Sequence, residues 1–122
     1  MKKKKIVIVD DSSSILEVVG HTLELQGFET YRAVDGSDAL QYFQGMDVSL
    51  VVTDLHMPHM NGIELIREIR SKDKYKWIPI LLLTTETHQA KKAEAREAGA
   101  TGWLVKPFNP ERLISTVRKV IR

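Results

Sequence analysis

Three short runs along the chain are almost wholly apolar: Ile6–Val9, Leu50–Thr53 and Ile80–Leu83. Strands covered on both faces of a parallel sheet read this way, because no solvated face imposes alternation. Thr30–Val34 and Gly102–Val105 are weaker strand candidates and are expected nearer the edges. Between the runs the period becomes helical. Ile15–Gln26 puts Ile15, Val18, Val19 and Leu23 on one face, with Ser14 and Glu17 spaced as a capping box and Gly27 as the stop. Ser37–Gln44 follows the turn signal Asp35-Gly36, and Gly62–Ser71 carries Ile63, Ile66 and Ile69 on one stripe. Thr87–Ala98 stops at Gly99, and Asn109-Pro110 opens a last helix to about Ile121.

The order is five β-α units in one domain, residues 1–122, without repeats or low-complexity segments. Parallel strands joined by right-handed crossovers predict an α/β, doubly wound sheet. Ligands of such sheets bind beyond the carboxyl ends of the strands, so the residues just after each strand are the candidates for chemistry.

Composition narrows the class. The 122 residues suffice for one real core, and 43% apolar with 28% charged residues is an ordinary soluble balance. The net charge of +2 is too small to argue for nucleic acid, and its excess lies in Lys2–Lys5, read as a solvated run rather than a membrane or nucleic-acid contact. Without cysteine, disulfides and thiolate metal sites are excluded. No stretch approaches the roughly 20 apolar residues of a membrane span. The apolar run behind Lys2–Lys5 is too short for a signal peptide before Asp10 and Asp11 intervene, so a cytoplasmic location and no membrane insertion are expected.

The strand ends carry Asp10-Asp11, Asp54, Thr84-Thr85 and Lys106-Pro107. Three carboxylates on one rim repel one another, and a hard divalent cation such as Mg2+ relieves that through oxygen ligands. Asp54 can then act as a nucleophile toward phosphorus. Phosphoryl transfer is mainly positioning and charge neutralisation. Lys106 supplies a mobile positive charge and Thr84 a hydrogen bond. An aspartate after a strand is by itself an ordinary turn former, and a lone lysine an ordinary surface residue. Their joint placement carries the reading.

The stretches Ile8-Val9-Asp10-Asp11, Val52-Thr53-Asp54-Leu55-His56-Met57-Pro58, Asn61-Gly62, Leu83-Thr84-Thr85 and Val105-Lys106-Pro107-Phe108 closely resemble the response-regulator receiver family, in particular its free-standing CheY-like chemotaxis members. The resemblance implies a flavodoxin-like fold with strand order 2-1-3-4-5 and five helices. It implies Asp54 as phosphoacceptor. Asp11 would bind Mg2+ (or Mn2+ as a substitute) directly, Asp10 mainly through water, and His56 through its backbone carbonyl. Thr84 becomes the switch hydroxyl, Lys106 the phosphate-binding lysine, and Lys106–Pro107 a cis peptide. Members take the phosphoryl group from a phosphohistidine of a sensor kinase and catalyse only their own phosphorylation and dephosphorylation. His56 and Glu86, two residues after Asp54 and Thr84, hold positions that tune phosphoryl lifetime. Trp103 occupies the switch-aromatic position, usually Tyr or Phe.

The helix at Thr87–Ala98 offers only Ala90, Ala93, Ala95 and Ala98 as apolar residues, so it buries little area and is weakly anchored. It is expected to form, with the following strand and last helix, the face partners read. Lys91, Lys92 and Arg96 lie nearby, while His21, His59 and His88 read as surface residues. No domain after Arg122 being in view, output is expected by protein contact. The expected partner is a flagellar switch protein, and the expected state is a monomer or a weak phosphorylation-dependent dimer. The alternatives are a phosphorelay shuttle or phosphate sink and, in another class, a metal-dependent phosphatase with an Asp nucleophile. The phosphatase places a second Asp two residues on, where this chain has His56. A flavin carrier is disfavoured because Asp10 and Asp11 would repel a phosphate lacking metal.

Overall fold

β-Branched and leucine side chains in β1 (Lys5–Val9), β3 (Leu50–Thr53) and β4 (Ile80–Thr84) are buried on both faces, which makes these strands the middle of the sheet. β2 (Glu29–Ala33) and β5 (Gly102–Val105) are more exposed and form its edges. All pairings are parallel in the order β2-β1-β3-β4-β5, the flavodoxin-like topology that the family resemblance implies. The structure, a computed structural model, describes residues 2–121. The helices are α1 (Ser13–Leu25), α2 (Gly36–Ala39), α3 (Gly62–Arg70), α4 (Gln89–Ala98) and α5 (Pro110–Val120). Among the described residues no helix is long and apolar enough to cross a membrane.

The sheet divides the core in two. On one side Leu16, Val19 and Leu23 of α1 and Leu113 and Val117 of α5 cover Ile6, Ile8, Leu50, Val52, Leu81 and Leu83. On the other, Ile63, Leu65, Ile66 and Ile69 of α3 cover Val7, Val9, Val51, Ile80 and Leu82, with Ala39 and Ala95 as the contributions of α2 and α4. Each buried Leu or Ile contributes about 1.5–3 kcal/mol of hydrophobic stabilisation, whereas alanine contributes far less. Ala95 is the one buried residue of α4, as its composition foretold.

Several local expectations need correction. α1 begins earlier, because Ser12 rather than Ser14 is the N-cap and accepts a hydrogen bond from the Ile15 amide at 3.3 Å. Val18 is 51% exposed, and Leu16 takes the buried position assigned to it. β2 ends at Ala33, because the Val34 amide turns away to the Asp38 carboxylate at 3.0 Å. The helix expected over Ser37–Gln44 is one turn, capped by Asp35 and tightening into a 3-10 turn at Leu40–Tyr42. α4 starts at Gln89 rather than Thr87, and a 3-10 turn at Asp73–Tyr75 left no periodic trace. Past α4, Gly99 takes the left-handed conformation at φ +119°, and the Arg70 guanidinium donates to its carbonyl at 2.8 Å and to that of Tyr75 at 3.1 Å.

Candidate functional site

Sheet register assembles the site. Val9 pairs with Thr53, so Asp10 and Asp54 leave the sheet side by side. The Asp54 amide still donates to Val9, at 2.9 Å, and the Asp10 amide to Ala33, at 3.1 Å. Thr84 pairs with Val105 on the next strands, and the Lys106 amide donates to the Thr84 carbonyl at 2.8 Å. Lys106–Pro107 is a cis peptide.

The side chains converge. Carboxylate oxygens of Asp10, Asp11 and Asp54 lie within 4.8 Å of one another. Lys106 Nζ donates to Asp10 Oδ2 at 2.7 Å and to Asp54 Oδ2 at 3.3 Å. The Ser12 amide donates to Asp10 Oδ1 at 2.9 Å, and the Leu55 amide to Asp54 Oδ1 at 2.7 Å. Asp10 is 2% exposed, Asp54 half-buried and Asp11 exposed. Burial pushes the Asp10 carboxyl above its ordinary value despite Lys106 and the Ser12 amide, and the Asp54 charge adds to the push. Burial also pulls the Lys106 ammonium down, but its contacts with Asp10 and Asp54 outweigh this and hold it more firmly charged. One ammonium against three carboxylates leaves the rim negative, and an all-oxygen set this close suits a hard divalent cation.

Thr84 is fully buried, and its Oγ1 accepts from the Glu86 amide at 3.2 Å, which leaves its own proton for donation. Glu86 is the hub of a second cluster. Its carboxylate bonds His88 Nδ1 at 2.6 Å and His56 Nε2 at 2.9 Å, and its backbone carbonyl accepts the Trp103 indole N–H at 3.2 Å. The His88 and then the His56 hydrogen bonds, with the His88 amide, hold the Glu86 carboxyl down at about 2. The Lys92 ammonium sits 5.5 Å from the Trp103 ring centroid.

Two contributions escaped sequence reasoning. A Cβ on Gly62 would lie 2.4 Å from the Asp54 carbonyl oxygen, and the Gly62 amide donates to Leu55 at 2.8 Å. The start of α3 is therefore pressed against the strand end that carries Asp54, and Asn61-Gly62 was the signal available. His59 and His88 are exposed but not idle. His88 shares Glu86 with His56, and His59, at φ +68°, bonds Asp35 at 3.1 Å. No local pattern announces such tertiary pairs.

A doubly wound sheet with clustered carboxylates, a hydroxyl and a lysine at its carboxyl rim defines a phosphorelay signalling module. Residues 6–118 match the profile of the response regulator receiver domain, and the chain belongs to that family. It is 39% identical to chemotaxis protein CheY-3 of Vibrio cholerae over 98% of this chain and 92% of that protein. It is 35% identical to chemotaxis protein CheY1 of Helicobacter pylori, with 96% of each covered. Among solved structures, Vibrio cholerae CheY4 superposes with a TM-score of 0.94 at 46% identity, over 98% of this chain and 99% of that one. The chain is accordingly a response regulator, a signalling protein.

Proposed function

We propose that Asp54 accepts a phosphoryl group from the phosphohistidine of a sensor kinase and that the modified rim is read by a protein of the motility apparatus. The observation that carries the proposal is Lys106 Nζ, 3.3 Å from Asp54 Oδ2, beside the three-carboxylate cluster. Leu55 pins the other Asp54 oxygen, so Oδ2 is the one presented for attack. A P–O bond forms as the P–N bond breaks, and the electron pair leaves with the imidazole, which then takes up a proton. Lys106 neutralises one phosphoryl oxygen and Thr84 donates to another. Asp11, Asp54 and the His56 carbonyl would hold Mg2+, with Asp10 acting through water. Mg2+ supplies charge neutralisation on the remaining oxygens when bound.

For output, Thr84 moves toward the phosphoryl group and draws on the segment to Glu86, on which Trp103 hangs. The weakly anchored α4, with β5 and α5, then presents an altered face. The names of the relatives support a chemotaxis role, and the target we assign on that reading is a flagellar switch protein. The phosphatase alternative is not favoured, since the position two residues past Asp54 is His56, committed to Glu86.

The test is intact mass after incubation with Mg2+ and a small acyl-phosphate donor. One phosphoryl group is gained by the native chain and none by Asp54→Asn. No gain, or an equal gain in Asp54→Asn, overturns the assignment.

A further inference from the structure

The rim opposite Asp54 has a character of its own. The strands are parallel, so the segments that precede them meet there. The Ser49 amide donates to the Lys5 carbonyl at 2.8 Å and the Val51 amide to Pro79 at 3.1 Å, which sets the approaches to β1, β3 and β4 side by side. Two strand spacings, about 10 Å, separate Lys5 from Pro79. Lys2, Lys3 and Lys4 are exposed and Lys5 and Lys72 half-exposed. At this rim Lys74 pairs with Asp47 at 2.8 Å and Lys76 with Asp73 at 3.2 Å. No carboxylate pairs with Lys2, Lys3, Lys4, Lys5 or Lys72 among the described residues. Asp47, the partner of Lys74, lies two residues before Ser49, whose amide binds the Lys5 carbonyl, so Lys74 and Lys5 approach the same part of the rim.

Trp77, 81% exposed, stands at this rim beside Lys74 and Ser49. Its ring forms part of the wall of a depression of about 280 Å³, with Val48, Ser49, Lys74, Ile78 and Pro79. An indole is large and mostly apolar, and its preferred setting is a boundary that is apolar on one side and wet on the other.

We propose that this rim is a docking surface for anionic phospholipid membranes, with Trp77 seated at the headgroup level and Lys2–Lys5 and Lys72 against the lipid charges. The residue types favour lipid over protein. Protein interfaces are enriched in arginine and depleted in lysine, whereas a diffuse anionic surface needs only point charges. Arg70, the arginine at the end of α3, is spent on the Tyr75 and Gly99 carbonyls. Each lysine near an anionic bilayer adds to the attraction, and the indole adds a second, apolar signal. The docked orientation leaves Asp54 facing away from the bilayer, about 15 Å off along strands of four to five residues.

The experiment is co-sedimentation of the unphosphorylated chain with vesicles of phosphatidylcholine alone or mixed with phosphatidylglycerol, so its outcome is independent of phosphoryl chemistry. Retention on the mixed vesicles is expected to exceed that on neutral ones about tenfold or more and to vanish in about 0.5 M NaCl. Lys2→Gln, Lys3→Gln, Lys4→Gln and Lys5→Gln combined lower it about tenfold or more, and Trp77→Ala lowers it while leaving the salt response. Circular dichroism confirms that both variants are folded, as exposed positions should allow. Equal retention on both vesicle types, or retention untouched in both variants, overturns the proposal. So does binding to duplex DNA or polyglutamate without binding to the vesicles, which would assign the surface to another partner.

Discussion

Trp103 donates its indole N–H to the backbone carbonyl of Glu86 at 3.2 Å, a bond that Phe at that position could not make. The ring is thereby tied to the segment that follows Thr84, and Lys92 covers its face. Phosphorylation should therefore alter the Trp103 environment through this tether. In a Trp77→Phe background, emission from Trp103 is expected to change when Mg2+ and an acyl-phosphate donor are added. Unchanged emission from protein shown by mass to be phosphorylated would refute the coupling. Trp103→Phe should cost about 0.5–1.5 kcal/mol of stability, the net value of one hydrogen bond.

Gly62 is the tightest backbone approach at the site. Gly62→Ala places a methyl group 2.4 Å from the Asp54 carbonyl oxygen, so β3 and α3 must separate. The expected loss is about 1–3 kcal/mol in urea denaturation, with slower uptake of the phosphoryl group. Native stability in the variant would show that this approach is not tight in solution.

Asp11 is exposed and makes no hydrogen bond within the site, so it contributes to metal binding without holding the fold. Saturating Mg2+ should raise the stability of the native chain by mass action, by about 2.7 kcal/mol at a hundredfold excess over the dissociation constant. Asp11→Asn, which relieves part of the carboxylate repulsion, should melt no lower than the native chain without metal and lose most of the increment. An undiminished Mg2+ response would remove Asp11 from the ligand set.

Asp35 gives a pH-dependent prediction. The Asp38 amide, then His59, hold its carboxyl below the usual value. A depressed carboxyl stabilises the fold above the ordinary aspartate value and loses that contribution as pH falls through the folded value. Asp35→Asn keeps a capping oxygen but no charge. The native chain should thus be the more stable of the two at near-neutral pH, and the gap should narrow as pH falls below the ordinary aspartate value and close below the folded one. Denaturant titrations of both proteins read it directly, and a gap constant with pH would contradict it.

How far these features could be read beforehand depended on the range of the interaction. β1, β3 and β4 are legible because burial on both faces imposes an apolar run whatever the neighbours are. α3 is legible through the stripe of Ile63, Ile66 and Ile69, and α5 through Asn109, whose cap is local. Asp10, Asp54 and Lys106 could be brought to one rim because topology alone puts strand ends together. The course of α2 depends on Asp38 drawing in the Val34 amide, and the bridge from His56 through Glu86 to His88 joins segments 30 residues apart. Neither leaves a periodic trace. The role of Val18 was misread because a helical stripe fixes a face only to within a neighbouring residue, and Leu16 competed for it.

The sheet works as a partition. Side chains of α1 and α5 never meet those of α4 within the core, since the strands lie between the two clusters. A displacement of α4 carries with it Ala95, the partly buried Ala98 and the Lys92 cover of Trp103, while the buried cluster that α1 forms across the sheet keeps its contacts. The molecule can therefore change its outward message while the half that holds it together stays in a single state.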